Sequence, residues 1–363
     1  MPVGQDDLPF WLGFARFSRF GPKSMERILN SFPSMESAWR APADRLVMIG
    51  LRTPTVEKFI LEREGINLDQ EMELLQTHGL RIVTRRDADY PKPFTHLHDA
   101  PAYFFLRGSL PNPKLPTLAV VGSRTATSYA HAAMRILVEP VAENGVVIVS
   151  GLARGIDTLA HECALRMGAP TIAVIGSGLD RASMYPAQNR DLAERIVKSG
   201  GAVISEYPVG KEAHPEHFPI RNRLIAALGK ATLVVEGAIK SGSLITAKET
   251  LDVGRDVLAV PGPITSPLSE GPNALIRAGA VPATKPEDIY HSLGVTPLEE
   301  KTTAVAENPT EEAILASLSQ VAIHVDDLIR QTKLPAMTVL STLTILEMRG
   351  AARSLLGKMY TRG

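Results

Sequence analysis

Leu118-Ala119-Val120-Val121-Gly122-Ser123-Arg124 is a short apolar, β-branched run that stops at a glycine and an arginine. It reads as a strand ending in a turn. The unit recurs along the chain. Val146–Val149 runs into Ser150-Gly151, Thr171–Ile175 into Gly176-Ser177-Gly178, and Thr232–Val235 into Glu236-Gly237; Ala202–Ser205 and Val257–Val260 extend the series. The segments between them are long enough for crossover helices, which predicts a mostly parallel, doubly wound α/β sheet. Near-continuous apolar strands such as Thr171-Ile172-Ala173-Val174-Ile175 suit a sheet covered on both faces.

In such a sheet, ligands bind outside the carboxyl ends of the strands, where helix N-termini point. Small-residue turns occupy those positions here: Gly122-Ser123-Arg124, Ser150-Gly151 with Ala153-Arg154-Gly155-Ile156-Asp157, Gly176-Ser177-Gly178 and Ser241-Gly242-Ser243. Glycine lets backbone approach a ligand, and free N–H groups at a helix start favour an anion. Any one βα turn needs glycine for its own geometry. The whole set, with arginines attached, points to a phosphate-sized site.

The ligand is not an ordinary nucleotide cofactor. Gly176-Ser177-Gly178 lacks the third glycine of a dinucleotide fingerprint, since Arg181 stands there, and no GxxxxGK[ST] loop occurs. No cofactor and no metal are expected. More telling is Phe218-Pro219-Ile220-Arg221-Asn222-Arg223, an aromatic and two arginines ahead of an apolar helix. An aromatic face stacks an unpaired base and arginine forks pair with phosphates, which favours a single strand over a duplex. Set against this are a core role for Phe218 and internal ion pairs for Arg221 and Arg223.

The flanks read differently. Residues 1–80 are expected to be helical: Met25–Leu29 follows the turn Phe20-Gly21-Pro22-Lys23, and Val56–Ile60 follows Ile49-Gly50-Leu51-Arg52. Glycine-turned helix pairs can present N–H groups to a phosphate, but the imperfect spacing favours a packing or partner-binding domain. Leu80–Thr84 and Tyr103–Leu106 read as edge strands of the central domain, residues 81–293. Residues 294–309 read as a polar linker. Residues 310–363 give three helical stretches and an Arg353–Arg362 hairpin, the order of a winged helix, with its turn at Lys333-Leu334-Pro335.

Composition excludes more than it selects. Among 363 residues, Lys+Arg and Asp+Glu both number 39, so bulk charge attracts no polyanion and any phosphate binding depends on local placement. The lone cysteine, Cys163, rules out a disulfide framework and suits the cytoplasm. The polar N-terminus does not read as a signal peptide, and no apolar run is long enough for a membrane helix.

Together these residues resemble the DprA/Smf DNA-processing family. The resemblance runs through Ala119–Arg124, Ser150–Asp157 with Ala160-His161, Thr171–Gly176, Ile204-Ser205-Glu206 and Phe218–Arg223. It continues through Ser241–Ala247, Val260-Pro261-Gly262 and Asn273–Ile276 with Gly279-Ala280. It covers the whole central domain, in order. It implies an extended Rossmann-like domain that binds single-stranded DNA without sequence preference, forms homodimers, protects incoming strands in natural transformation and helps load the recombinase RecA. No catalytic activity is implied. Carried over by position, Arg124 would hold a phosphate beside Gly122 and Ser123, and Phe218 would stack a base. Arg221, Asn222 and Arg223 would line the groove with Gly151, Gly155, Ser241, Gly242 and Ser243, and Lys248 would add a phosphate contact. Helical and winged-helix flanks also fit the family. The expected recognition helix, Ala336–Arg349, has Arg349 as its one basic residue, which favours a protein-contact or regulatory role over groove reading.

The rival is a nucleoside monophosphate phosphoribohydrolase on a related fold. Ser241-Gly242-Ser243 with Thr246 and Glu249 echoes its glycine-rich turn and catalytic glutamate, but Leu244 and Ile245 stand where a second glycine is required. Ser150 and Ser243 have no evident base, His161 and Cys163 do not share a helix face, and His214, Glu216 and His217 lack a further metal ligand.

Overall fold

The computed structural model describes residues 7–296, 306, 308–319, 322–355 and 357–362. The chain divides into two compact units, Met1–Thr296 and Pro297–Gly363, so residues on both sides of position 80 belong to the first. Six helices open it: α1 (Leu8–Phe17), α2 (Pro22–Ser31), α3 (Met35–Trp39), α4 (Ala43–Met48), α5 (Thr53–Arg63) and α6 (Leu68–Thr77). Prolines at the starts of α1, α2 and α5 cost no hydrogen bond there, because the first helical N–H groups are unpaired anyway. The helices close around an aromatic cluster in which Phe59 contacts Phe14, Phe17, Phe20 and Trp39. That cluster is continuous with apolar residues of the sheet.

The antiparallel pair β1 (Arg81–Thr84) and β2 (Tyr103–Gly108) comes next. The alternating series then runs β3 (Thr117–Val121), α7 (Ser128–Glu143), β4 (Val147–Ser150), α8 (Ile156–Arg166), β5 (Thr171–Val174), α9 (Arg190–Lys198) and β6 (Ala202–Ser205). It continues with α10 (His217–Leu228), β7 (Ala231–Val234), α11 (Gly242–Asp252), β8 (Asp256–Ala259), α12 (Glu270–Arg277), β9 (Val281–Pro282) and α13 (Pro286–Leu293). The nine strands lie in the order β1-β2-β6-β5-β4-β3-β7-β8-β9. Strands β3 to β9 are parallel, and β2 joins β6 antiparallel. The doubly wound sheet read from the sequence is present, each of its six strands within one residue of the expected span. β1 is an edge strand and β2 lies one place inside it. The two-residue β9 gave no sequence signal, being too short for an alternating pattern.

Period-2 geometry sorts the strand residues between two cores. Leu118, Val120, Ile148, Leu233 and Leu258 face α7, α8 and α13; Ala119, Val121, Val149, Val234 and Val257 face α10 and α11. Helix α7 meets the first layer with Ala130, Ala133, Met134, Leu137, Val138 and Val141, the 3–4 spacing of a core-facing stripe. Strand order reverses between β3 and β7, so their diverging loops open a crevice at the carboxyl ends.

The second unit contains α14 (Pro309–Ser317), β10 (Ile323–His324), α15 (Val325–Thr332), α16 (Ala336–Met348), β11 (Ala352–Leu355) and β12 (Met359–Arg362), the sheet ordered β10-β12-β11. Ile314, Leu328, Val339, Leu343 and Leu346 form its core, and the arrangement is a winged helix. The Arg349 guanidinium donates to both Glu311 carboxylate oxygens at 3.0 Å, so the one basic group at the end of α16 is engaged internally. Most of the expected linker, 297–305 and 307, lies outside the described residues. Among the described residues no helix is long and apolar enough to cross a membrane.

Candidate nucleic-acid interface

The crevice at the β3–β7 reversal is a cleft of ≈ 640 Å³. Its walls come from five segments: the turn after β3, the turn before α8, the loop between β5 and α9 at Tyr185, the start of α10 and the start of α11. Gly122, Arg124, Phe218, Arg221, Asn222, Ser241, Gly242 and Ser243 all line it. Gly151 lines an adjoining hollow with Arg124, Arg154, Tyr185 and Phe218. Ser123, Gly155, Arg223 and Lys248 do not line the cleft.

The turn after β3 is held rigidly. The Ser123 N–H donates to the Glu236 carbonyl at 2.7 Å, and the Ser123 carbonyl accepts from the Ile156 N–H at 3.0 Å. The buried Glu236 carboxylate accepts from Thr127 Oγ1 at 2.5 Å and the Thr127 N–H at 3.2 Å, fixing the start of α7. Gly122 is required because a Cβ there would lie 2.6 Å from Ile156 Cγ1 and 2.8 Å from the Glu236 carbonyl oxygen. Gly155 has φ +75°, and a Cβ on it would run into the Ser123 carbonyl. Two of the glycines therefore pack the βα turns against each other.

That packing pushes Arg124 outward. Its side chain is exposed, and its guanidinium carbon lies 5.3 Å from the centre of the Phe218 ring. Phe218 is only half-buried and also meets Tyr185, ring centres 5.8 Å apart and inclined at 50°. A cation and two aromatic faces thus share the mouth of the cleft. Ser241 caps α11, its Oγ accepting from the Ser243 N–H at 3.3 Å, and Asn222 Nδ2 donates to the Gly242 carbonyl at 3.3 Å.

The other two arginines face inward. Arg221 donates to the Gly151 carbonyl at 2.7 Å and to the Val174 carbonyl, beside the buried Asp157. Burial brings its pKa down to about 10, with Asp157 opposing the shift, so it stays charged at neutral pH. Burial also pushes the Asp157 carboxyl above the usual range, countered by Arg221 and by N–H groups of Ala153 and Gly151. Arg221 is a charged floor to the cleft rather than a reaching side chain. Arg223 is 5 % exposed and lies between Asp99, at 2.8 Å, and Glu206, at 2.8 Å. The internal ion pairing weighed for these arginines is what the geometry shows for Arg223, whereas Arg221 is held by backbone carbonyls. An arginine motif reports charge but not direction, because successive helical residues point 100° apart. Lys248 is exposed on α11, beyond the cleft lining.

Tyr185 and Arg154 were not among the residues read as a site. Tyr185 follows the Gly176-Ser177-Gly178 turn by several positions and has no local signature; the fold alone brings it to Phe218. Arg154, in the run Ala153-Arg154-Gly155, did carry a signal, a basic residue in a small-residue turn.

Two family models match the chain: DNA recombination-mediator protein A over residues 81–294, and the DprA winged helix domain over 292–358. The protein Smf of Synechocystis is 34 % identical over 341 residues, 93 % of this chain and 82 % of that protein. The X-ray structure of DNA processing protein A from Streptococcus pneumoniae superimposes with a TM-score of 0.67 at 34 % identity, covering 80 % of this chain and 98 % of that one. DNA processing protein A from Helicobacter pylori, whose structure concerns its single-stranded DNA binding mode, gives a TM-score of 0.52 at 28 % identity, covering 60 % and 97 %. With the ordered glycine turns, the nine-stranded sheet and the winged helix all in place, this chain belongs to the DprA/Smf family of DNA-processing proteins.

Proposed function

We propose that the chain binds single-stranded DNA without sequence preference in the cleft at the carboxyl ends of β3 and β7, and that it acts as a binding protein rather than an enzyme. The observation that carries this reading is the exposed Arg124 guanidinium set against the half-buried Phe218 ring, one group suited to phosphate and the other to an unpaired base. The small-residue turns at Gly122 and Ser241–Ser243, which line the cleft at the strand ends, support it. So does the single-stranded DNA binding of the similar Helicobacter pylori protein. Protection of incoming strands, loading of RecA, homodimerisation and a cytoplasmic location complete the proposal, by family membership.

The serines that a hydrolase would use are otherwise engaged. Ser150 Oγ donates to the buried Val120 carbonyl at 2.6 Å, and Ser243 Oγ meets Ser241 Oγ at 2.8 Å. The test is fluorescence anisotropy of labelled oligo-dT against a matched duplex across a salt series, with Arg124→Ala beside wild type. Tight single-strand binding, with a log–log salt slope of about −0.7 per phosphate neutralised, is expected. Single-strand binding no better than background would sink the proposal and make nucleoside monophosphate hydrolysis the next assay.

A further inference from the structure

We infer that Tyr185 and Arg154 form a second nucleotide subsite beside the Phe218–Arg124 pair, so that the strand leaves the cleft over Tyr185. The inference rests on single-stranded DNA occupying the cleft as proposed above. Tyr185 is 46 % exposed, although it sits beside another aromatic at the mouth of a cleft. It lines both the main cleft and the adjoining hollow, and Arg154 lines the hollow with Arg124. Arg154 is exposed and has no ion pair among the described residues. The hollow therefore repeats the chemistry of the first position, an aromatic face with a free guanidinium near it.

Spacing decides how bases would use the two rings. A base sandwiched between two aromatic planes needs about 7 Å, two contacts of about 3.5 Å. The Tyr185 and Phe218 rings are 5.8 Å apart and inclined at 50°, too close and too oblique for one base between them. Each ring instead offers its own face to a separate base.

The frame behind the subsite is built. Asn189, itself buried, donates to the Leu152 carbonyl at 2.8 Å, the Ala153 carbonyl at 3.2 Å and Thr158 Oγ1 at 2.8 Å. Its own N–H donates to the Pro186 carbonyl at 3.0 Å. Arg190 donates to the Ala182 carbonyl at 2.6 Å and the Met184 carbonyl at 3.3 Å. The Tyr185 loop is thus fastened to the turn that carries Arg154. Presenting both groups on a rigid frame lowers the ordering cost of binding.

The experiment compares Tyr185→Ala, Tyr185→Leu, Tyr185→Phe, Arg154→Ala and Phe218→Ala by anisotropy on labelled oligo-dT and on a strand of abasic residues of equal length. Loss of one base–aromatic stack weakens oligo-dT binding about 5- to 150-fold. That loss is expected for Tyr185→Ala and Tyr185→Leu, with Tyr185→Phe within twofold of wild type and no loss on the abasic strand. Leucine keeps the bulk, so a shared loss reports stacking rather than a collapsed loop. Arg154→Ala should flatten the salt slope by about 0.7. Wild-type affinity in Tyr185→Ala and Tyr185→Leu, with Phe218→Ala weakened, would overturn the subsite and leave the cleft reading standing. An equal loss in Tyr185→Phe would overturn stacking. Wild-type affinity in Phe218→Ala as well would remove both readings.

Discussion

The Arg124 guanidinium carbon lies 5.3 Å from the centre of the Phe218 ring, so the cation that would meet a phosphate covers the ring that would meet a base. A cation–π contact at an exposed position is worth about 0.5–1 kcal/mol. An incoming phosphate offers the same guanidinium a charge-assisted, two-point partner, roughly twice as strong as a neutral hydrogen bond. If the cleft takes a strand as proposed, a phosphate would draw Arg124 from Phe218 and expose the ring. Arg124→Ala is expected to leave the melting temperature within about a degree, as most surface changes do, while weakening oligo-dT binding and flattening its salt slope. Thermal denaturation and a salt titration on the same sample check both halves.

Arg223 should behave in the opposite way. It lies buried between Glu206 and Asp99, and although burial lowers its pKa, those carboxylates hold it above its ordinary value. Arg223→Ala would leave the half-buried Glu206 without its partner, a loss below the roughly 3–5 kcal/mol of a fully buried pair. Chemical denaturation should show that loss. If the variant is as stable as wild type and binds oligo-dT poorly, Arg223 acts on the strand directly.

Gly155→Ala tests the packing of the turns. The backbone there has φ +75°, and the new methyl would collide with the Ser123 carbonyl and approach the Arg124 carbonyl carbon to 2.6 Å. Strain of about 1–3 kcal/mol is expected from φ alone, with more from the clash, which has backbone on both sides and no flexible atom to yield. Gly145→Ala is the control: its φ is +78°, but no atom lies within 4 Å of the added carbon. Equal losses in the two variants would show that the turn-to-turn contact adds nothing.

His161 gives the fold a pH dependence. The ring is fully buried, and Thr171 Oγ1 donates to the Ile148 carbonyl at 2.7 Å, so His161 Nδ1–H must be the donor in the 2.8 Å contact between His161 and Thr171. Its Nε2 is buried with no partner, where a proton would go unsatisfied, so the ring is neutral. Burial, helped by Arg221, lowers the pKa from 6.5 to about 3. Below pH 6.5 the unfolded chain takes up a proton that the folded one refuses, so stability falls as pH drops from about 6.5 towards 3. The limiting slope is about 1.4 kcal/mol per pH unit. Urea unfolding from pH 7 to 4 should show a shallower decline for His161→Asn than for wild type; parallel curves would contradict this.

Much of this architecture is legible in the chain. Leu118–Val121 and its repeats end at glycine turns, and the spacing between them leaves room only for crossover helices. Alternation then assigns Leu118 and Val120 to one core and Ala119 and Val121 to the other. The winged helix is legible for the same reason, from helical periodicity, a proline at the start of α16 and a terminal hairpin. These are short-range patterns, set by backbone geometry that repeats every two or 3.6 residues.

The cleft is less legible, because it is made by residues far apart in the chain. The sequence by itself determined the α/β class, the parallel strands, the glycine turns at their carboxyl ends, and the presence of Arg124 and Phe218 near those turns. Only the tertiary structure decided which arginines are free. Arg221 and Arg223 turn inward to backbone carbonyls and carboxylates, because a guanidinium on a buried helix start must find acceptors or lose its solvation. Arg124 and Arg154 stay outside, Tyr185 meets Phe218 across 33 positions of sequence, and Asn189 ties the Tyr185 loop to the Arg154 turn across 36 and 37. Such contacts follow from how the loops close over the sheet, and no local pattern encodes them.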